Sequence, residues 1–243
     1  MGAVVVTGAA RGLGAAIGER FAREGYEVFG VDLDGDALRE RVDGWPGTHV
    51  ACCADITDEA AVGEVCERAA AGGLRAFVAN AGHARAGASM DYPLEQWHKM
   101  LDVHLTGFFV GARQAAARMS GGGSIVVLSS INGQVGFPGR TAYGAAKAGV
   151  AGLVKGHATE WATGDVRVNA ITPGPIRTEM SAEFIRRGVI REQDFLDRVP
   201  LRRFGKPEEV AELAHFLGSP LSSYITGTVI PIDGGWTAQG TAD

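Results

Sequence analysis

Ala3-Val-Val-Val-Thr-Gly8-Ala-Ala-Arg11-Gly12-Leu13-Gly14 is the stretch on which the fold turns. A β-branched apolar run stops at a glycine-rich turn, and an amphipathic segment follows at once. Gly8 lets the chain reverse sharply, Gly12 lets the backbone approach a pyrophosphate, and Gly14 lets the following helix pack on the sheet. The helix then offers an anion its free N–H groups and the positive end of its dipole. Gly8, Arg11, Gly12, Leu13 and Gly14 are therefore candidate contacts to a dinucleotide. A turn with no ligand is the rival reading, and the strand before and helix after it speak against that.

Working outward, the same alternation repeats. Short β-branched runs at 3–7, 27–32, 49–54, 76–80, 124–129, 167–171 and 228–232 read as strands. Helical patterns lie between them at 13–24, 59–70, 94–119, 142–161 and 207–217. This predicts an α/β protein: one doubly wound domain over 1–243, with a central, mostly parallel seven-stranded sheet and helices on both faces. The stretch 179–204 is charged and interrupted and has no place in the alternation, so it reads as a substrate lid.

Composition narrows the function. The 243 residues are 46% hydrophobic and 21% charged, with net charge -5. No Lys/Arg cluster suggests a nucleic-acid or anionic-membrane surface, and no apolar run is long enough to span a bilayer. The first residues run straight into a strand, without a basic leader or cleavage site, and Val6 stands where a myristoylation signal wants Ser or Thr. Cys52, Cys53 and Cys66 make a poor disulfide framework and fit a reducing cytoplasm, with Cys52 and Cys53 expected as small buried residues in a strand. His83, His98, His157 and His215 are scattered without ligand spacing, so no metal site is expected. There is no Gly-x-Ser-x-Gly elbow of a hydrolase.

Three further features bear on chemistry. Asp32 ends the second strand, where a carboxylate accepts from ribose hydroxyls and repels a 2′-phosphate; this argues NAD over NADP, with Arg11 as the complication. Asp55 and Ile56 follow the third strand, placed either for an adenine edge or for capping the helix that starts near Asp58. Asn80-Ala81-Gly82 closes the fourth strand, leaving room for a cofactor while an amide ties neighbouring backbones. Finally, Tyr143 and Lys147 lie four apart and share a helix face. An ammonium beside the phenol lowers its pKa and prepares it to exchange a proton with an alcohol.

Thr7–Gly14, Asn80-Ala81-Gly82, Ser130, Tyr143-x-x-x-Lys147 and Pro173-Gly-Pro-Ile-Arg-Thr178 occur in this order, with Tyr224-Ile-Thr-Gly227 and Asp233-Gly-Gly235 closing the chain. The pattern resembles the short-chain dehydrogenase/reductase family over essentially the whole chain. That resemblance implies an NAD(H)-dependent enzyme interconverting a secondary alcohol and a ketone. It implies that Ser130 orients the substrate oxygen and Tyr143 is the general acid/base. Lys147 would lower the phenol pKa and hold the nicotinamide ribose. Pro173 and Gly174 would pass the nicotinamide, and Ile176 and Thr178 would contact its carboxamide. A pocket of His83, Arg85, Asn132, Val135, Phe137, Pro175 and Met180 would receive a small-molecule substrate. A homotetramer is implied, with the 142–161 helix and the C-terminal segment at its interfaces.

His104 departs from the family, which usually has Asn there, at a helix irregularity whose carbonyl holds a relay water. The expectation is that His104 keeps the water, with an imidazole able to titrate near neutrality. A helix histidine without a chemical role is the rival. Two functional alternatives stay open: an NADPH-dependent 3-oxoacyl-thioester reductase, and a catalytically silent NAD-binding sensor module.

Overall fold

The structure is a computed structural model that describes residues 2–240 apart from 187, 189 and 190, and leaves the side chains of 180 and 184 undescribed. Seven strands form one parallel sheet: β1 Ala3–Thr7, β2 Glu27–Asp32, β3 Val50–Cys53, β4 Leu74–Ala79, β5 Gly123–Leu128, β6 Val166–Pro173 and β7 Val229–Ile232. Their order is β3-β2-β1-β4-β5-β6-β7. The order reverses between β1 and β4, and that switch point opens a crevice at the carboxyl ends of the strands.

All five residues of β1 are buried. Successive side chains point to opposite faces, so Ala3 and Val5 enter one core and Val4 and Val6 the other. Each fully buried valine contributes about 2 kcal/mol of transfer free energy. One core is covered by α1 (Gly12–Arg23), α2 (Gly35–Asp43) and α9 (Pro207–Gly218). The other is covered by α3 (Glu59–Ala71), α5 (Gly107–Ala116) and α6 (Thr141–Trp161). This is the doubly wound arrangement expected from the alternation.

Several boundaries differ from the sequence reading. The helix expected over 94–119 is α4 (Leu94–Leu101), a π-helical turn (Asp102–Thr106) and α5. Apolar periodicity does not register one inserted residue, so a π-turn is invisible to it. Helix α2 was not anticipated because it is short and highly charged; Asp34 caps it by accepting from Ala37 N–H. Within 179–204 the chain forms α7 (Glu179–Arg186) and α8 (Glu192–Leu196). Cys52 is buried as expected, whereas Cys53 is exposed. β3 is an edge strand, and side chains alternate, so only one of two adjacent cysteines can face the covered side.

Candidate active site

The crevice has a floor made largely of main chain. Gly8 and Gly12 have φ of 67° and 55°, a region that favours glycine. A Cβ on Gly8 would lie 2.8 Å from Ala81 Cα, and one on Gly14 would lie 2.0 Å from the Gly8 carbonyl oxygen. Gly12 is different, because only the Thr178 methyl lies near its missing Cβ, at 3.8 Å. Its backbone is open. Helix α1 starts there without a side-chain cap and without an acid in its first turn, whereas Asp34 and Asp58 cap α2 and α3. An uncapped, positively polarised helix end above open backbone fits a pyrophosphate.

The polar ties run between β1 and β4. Asn80 Nδ2 donates to the carbonyls of Thr7 (2.9 Å) and Gly8 (3.1 Å). Thr7 Oγ1 accepts from the N–H groups of Asn80 and Ala81, both at 3.0 Å. Asp32 accepts from Ala10 N–H and Asp34 N–H at 3.1 Å each, so its carboxylate is fixed at the end of β2. The Arg11 guanidinium pairs with Asp34 at 2.5 Å. An acid the sequence reading left aside thus engages the one cation expected to favour a 2′-phosphate. Asp55 caps no helix; its carboxylate accepts from Thr57 N–H and Oγ1 at 2.8 Å, and Asp58 is the N-cap of α3. Asp55 and Ile56 do line a groove of about 870 Å³ with Asp32 and Leu33.

A second groove of about 540 Å³ joins Gly8, Gly12, Leu13, Asp32, Asn80, Ala81 and Gly82 to His83, Tyr143, Lys147 and Thr178. Both volumes fall in the range of ligand sites. Ser130 lies close enough to the Tyr143 side chain to draw its phenol pKa down. The adjacent Ser129 hydroxyl instead donates to the Lys147 carbonyl at 2.9 Å, a structural tie. Lys147 is buried; its Nζ donates to the Leu128 carbonyl at 2.6 Å and lies 5.7 Å from the Tyr143 ring centroid.

The electrostatics correct one expectation. Burial raises the Tyr143 pKa, opposed by the nearby Ser130 hydroxyl and the Arg140 charge. Lys147 is not among the groups that pull it down in the bare protein. Burial lowers the Lys147 amine to about 7, so this cation is itself only half charged at neutral pH.

His104 lies in the π-turn, at a helix irregularity as expected, and is buried. Its Nε2 lies 2.7 Å from the His83 carbonyl and 3.2 Å from the His83 N–H, while Nδ1 has no protein partner. The ring stands edge-on to Tyr143 with centroids 5.2 Å apart. It also fills the space where a Cβ on Gly82 would be, 2.2 Å from Cε1. His104 and Lys147 share the lining of a void of about 10 Å³, the size of one water. Burial, then the Lys147 charge, lowers the His104 pKa to about 3. The expectation of titration near neutrality is therefore wrong, because a solvated imidazolium has no counterpart in this packed position.

The expected substrate residues divide. His83 lines both grooves. Arg85 is exposed along the larger of them. Asn132 is half-buried, and its N–H donates to Ser130 Oγ at 3.2 Å. Val135 is exposed on the same loop. Phe137 does not stand free, because its ring stacks on Trp236 at 5.7 Å, in a cluster with Phe195 of α8. Pro175 binds Gly205 N–H through its carbonyl at 2.9 Å, and Ile176 is buried. Pro173 ends β6, and Gly174 packs against Asp233. The Met180 side chain lies outside the described residues. Sequence reasoning missed Asp34, Arg140 and Trp236. Asp34 stands two residues past Asp32 at the end of β2, which was a usable signal for the first; nothing local marked the others.

A family model described as enoyl-(acyl carrier protein) reductase matches residues 8–237. The 3-oxoacyl-[acyl-carrier-protein] reductase FabG of Thermotoga maritima is 40% identical over 238 residues, covering 95% of this chain and 96% of that protein. The trans-4-hydroxycyclohexanecarboxylate dehydrogenase of Sinomonas cyclohexanicum is 38% identical, covering 96% of this chain and 92% of that one. A solved 7α-hydroxysteroid dehydrogenase, complexed with NADH and 7-oxo-glycochenodeoxycholic acid, superposes with a TM-score of 0.89 at 30% identity. It covers 96% of this chain and 93% of its own.

Proposed function

The chain belongs to the short-chain dehydrogenase/reductase family, and from that premise we propose that it interconverts a secondary alcohol and a ketone with NAD(H). Tyr143 in the groove beside Ser130, with buried Lys147 one turn further along α6, carries this reading. Tyr143 takes the alcohol proton in oxidation and returns it in reduction. Ser130 holds the substrate oxygen against the phenol. Lys147 Nζ, with a pKa of about 7, exchanges a proton toward the small void it shares with His104. The His104 ring fixes the π-turn to the His83 backbone and braces Tyr143, while the turn's main chain keeps the water.

The open backbone at Gly12, the uncapped start of α1 and the carboxylate of Asp32 fit a dinucleotide. Gly8, Arg11, Gly12, Leu13, Gly14, Asp32, Asp55, Ile56, Asn80, Ala81, Gly82, Tyr143, Lys147, Pro173, Gly174, Ile176 and Thr178 would hold it. When bound it supplies the two-electron redox pair and, oxidised, a positive charge. Asp32 and Asp34 together support NAD over NADP, since a 2′-phosphate at the end of β2 meets two carboxylates. We read 179–204 as the lid, with α6 and the C-terminal segment as tetramer interfaces; exposed Leu221 and Tyr224 support the latter.

The Thermotoga relative favours a second reading, an NADPH-dependent 3-oxoacyl-thioester reductase. One experiment separates these. Purified protein is assayed by nicotinamide absorbance with NAD+ or NADP+ over secondary alcohols, sugars and hydroxy acids. In reverse it is assayed with acetoacetyl thioester and NADH or NADPH. Turnover of an alcohol at least about tenfold more efficient with NAD+ supports the first reading. Thioester reduction by NADPH alone replaces it with the second. NADH binding without any turnover replaces both with a silent sensor.

A further inference from the structure

Four described arginines are half-buried: Arg20, Arg118, Arg140 and Arg167. Arg20 lies on Glu24 and Glu212, and Arg118 on Glu67 and Gln114. Arg167 donates to the Ser222 hydroxyl and to the carbonyls of Ser219 and Ile225. The Arg140 side chain alone has no carboxylate, acceptor or ring against it among the described residues. A cation that has lost part of its hydration without gaining a partner is costly. Such a group persists where its partner arrives with a ligand.

Its position says which ligand. Arg140 is the N-cap residue of α6, three residues before Tyr143. Its charge is close enough to draw the phenol pKa down against burial. The loop bearing it is tied to the loop bearing Arg85 by a 3.0 Å bond from Gly87 N–H to the Gly139 carbonyl. Arg85 is exposed and also lacks an acidic partner among the described residues.

We infer that Arg140 binds a carboxylate on the substrate, so that this site takes hydroxy acids and the corresponding oxo acids. The inference deepens the proposed function and rests on Tyr143 being the acid/base. One guanidinium matches one carboxylate in charge and in its planar, two-pronged geometry. The anion must lie within a few bonds of the carbinol carbon, because Arg140 stands three residues from Tyr143 and its charge reaches the phenol. In oxidation the carbinol hydrogen leaves with its electron pair to the dinucleotide, the hydroxyl proton goes to Tyr143, and the carboxylate passes through unchanged.

The test compares 2-, 3- and 4-hydroxypentanoate with their methyl esters, in wild type, Arg140→Met and Arg140→Lys. The readout is the acid-to-ester ratio of kcat/KM, which a general folding defect lowers in both arms and so leaves in place. The wild-type ratio should reach roughly 100 for at least one isomer, fall to near one in Arg140→Met, and recover in part in Arg140→Lys. Wild type that oxidises the esters as well as the acids overturns this inference and leaves the proposed function standing. An Arg140→Met ratio equal to that of wild type overturns it too. If no alcohol of any kind is oxidised, the proposed function falls, and this inference with it.

Discussion

The nucleotide side and the substrate side of the crevice use different materials. On the first, backbone and missing side chains do the shaping: Gly8, Gly12 and Gly14 set the turn, and Asn80 and Thr7 tie strand ends by main-chain bonds. On the second, long side chains do it: Phe137 and Arg140 come from the loop that leads into α6, and Trp236 comes from the C-terminal segment. The first surface suits a dinucleotide, of the kind a solved relative holds as NADH. The second can change without disturbing the sheet, because its residues sit on loops.

That division can be broken or sharpened experimentally. The largest effect is expected from Tyr143→Phe. Turnover should fall by roughly 1000-fold while NADH affinity, measured by fluorescence titration, stays within a few-fold of wild type. Near-normal turnover would dissolve the division, since the reacting group would then lie elsewhere. A smaller effect is expected from Asp32→Ala. The NAD-to-NADP ratio of kcat/KM should drop by about tenfold, because the mutant keeps only Asp34 near the ribose edge. Substrate preference should not move; if it does, the two surfaces are coupled.

The smallest effect on catalysis is expected from His104→Asn. With a pKa of about 3, His104 stays neutral over the working range, so the pH profiles of kcat/KM should superimpose above pH 5, each with an inflection near 7 from Lys147. Stability should separate the two proteins instead. The native pKa lies below the ordinary value of 6.5, so the contribution is whole above pH 6.5 and drains away as pH falls toward 3. His104→Asn escapes that loss. Between pH 6.5 and 4.5 its Tm should gain roughly 5 °C on wild type by calorimetry.

The same division explains what could be read beforehand. β1 and β2 were legible to the residue because a central parallel strand is apolar on both faces and stops at glycine or aspartate. Tyr143, Ser130 and Lys147 were legible because helical spacing and a familiar order of motifs placed them together. The π-turn was not, since periodicity cannot count a single inserted residue. The exposure of Cys53 was hidden because edge position is a tertiary property. Arg140 was passed over because an arginine beside a helix start looks like any other until every neighbouring acid is found to be elsewhere.

Gly82 and His104 interlock, and this sets the terms for any redesign. With imidazole in place, a β-carbon at 82 has nowhere to go. A one-position-at-a-time library will therefore record glycine there as immutable, when the veto belongs to its neighbour across the crevice. Randomising the two sites jointly should recover functional pairs in which a smaller residue at 104 permits alanine or serine at 82.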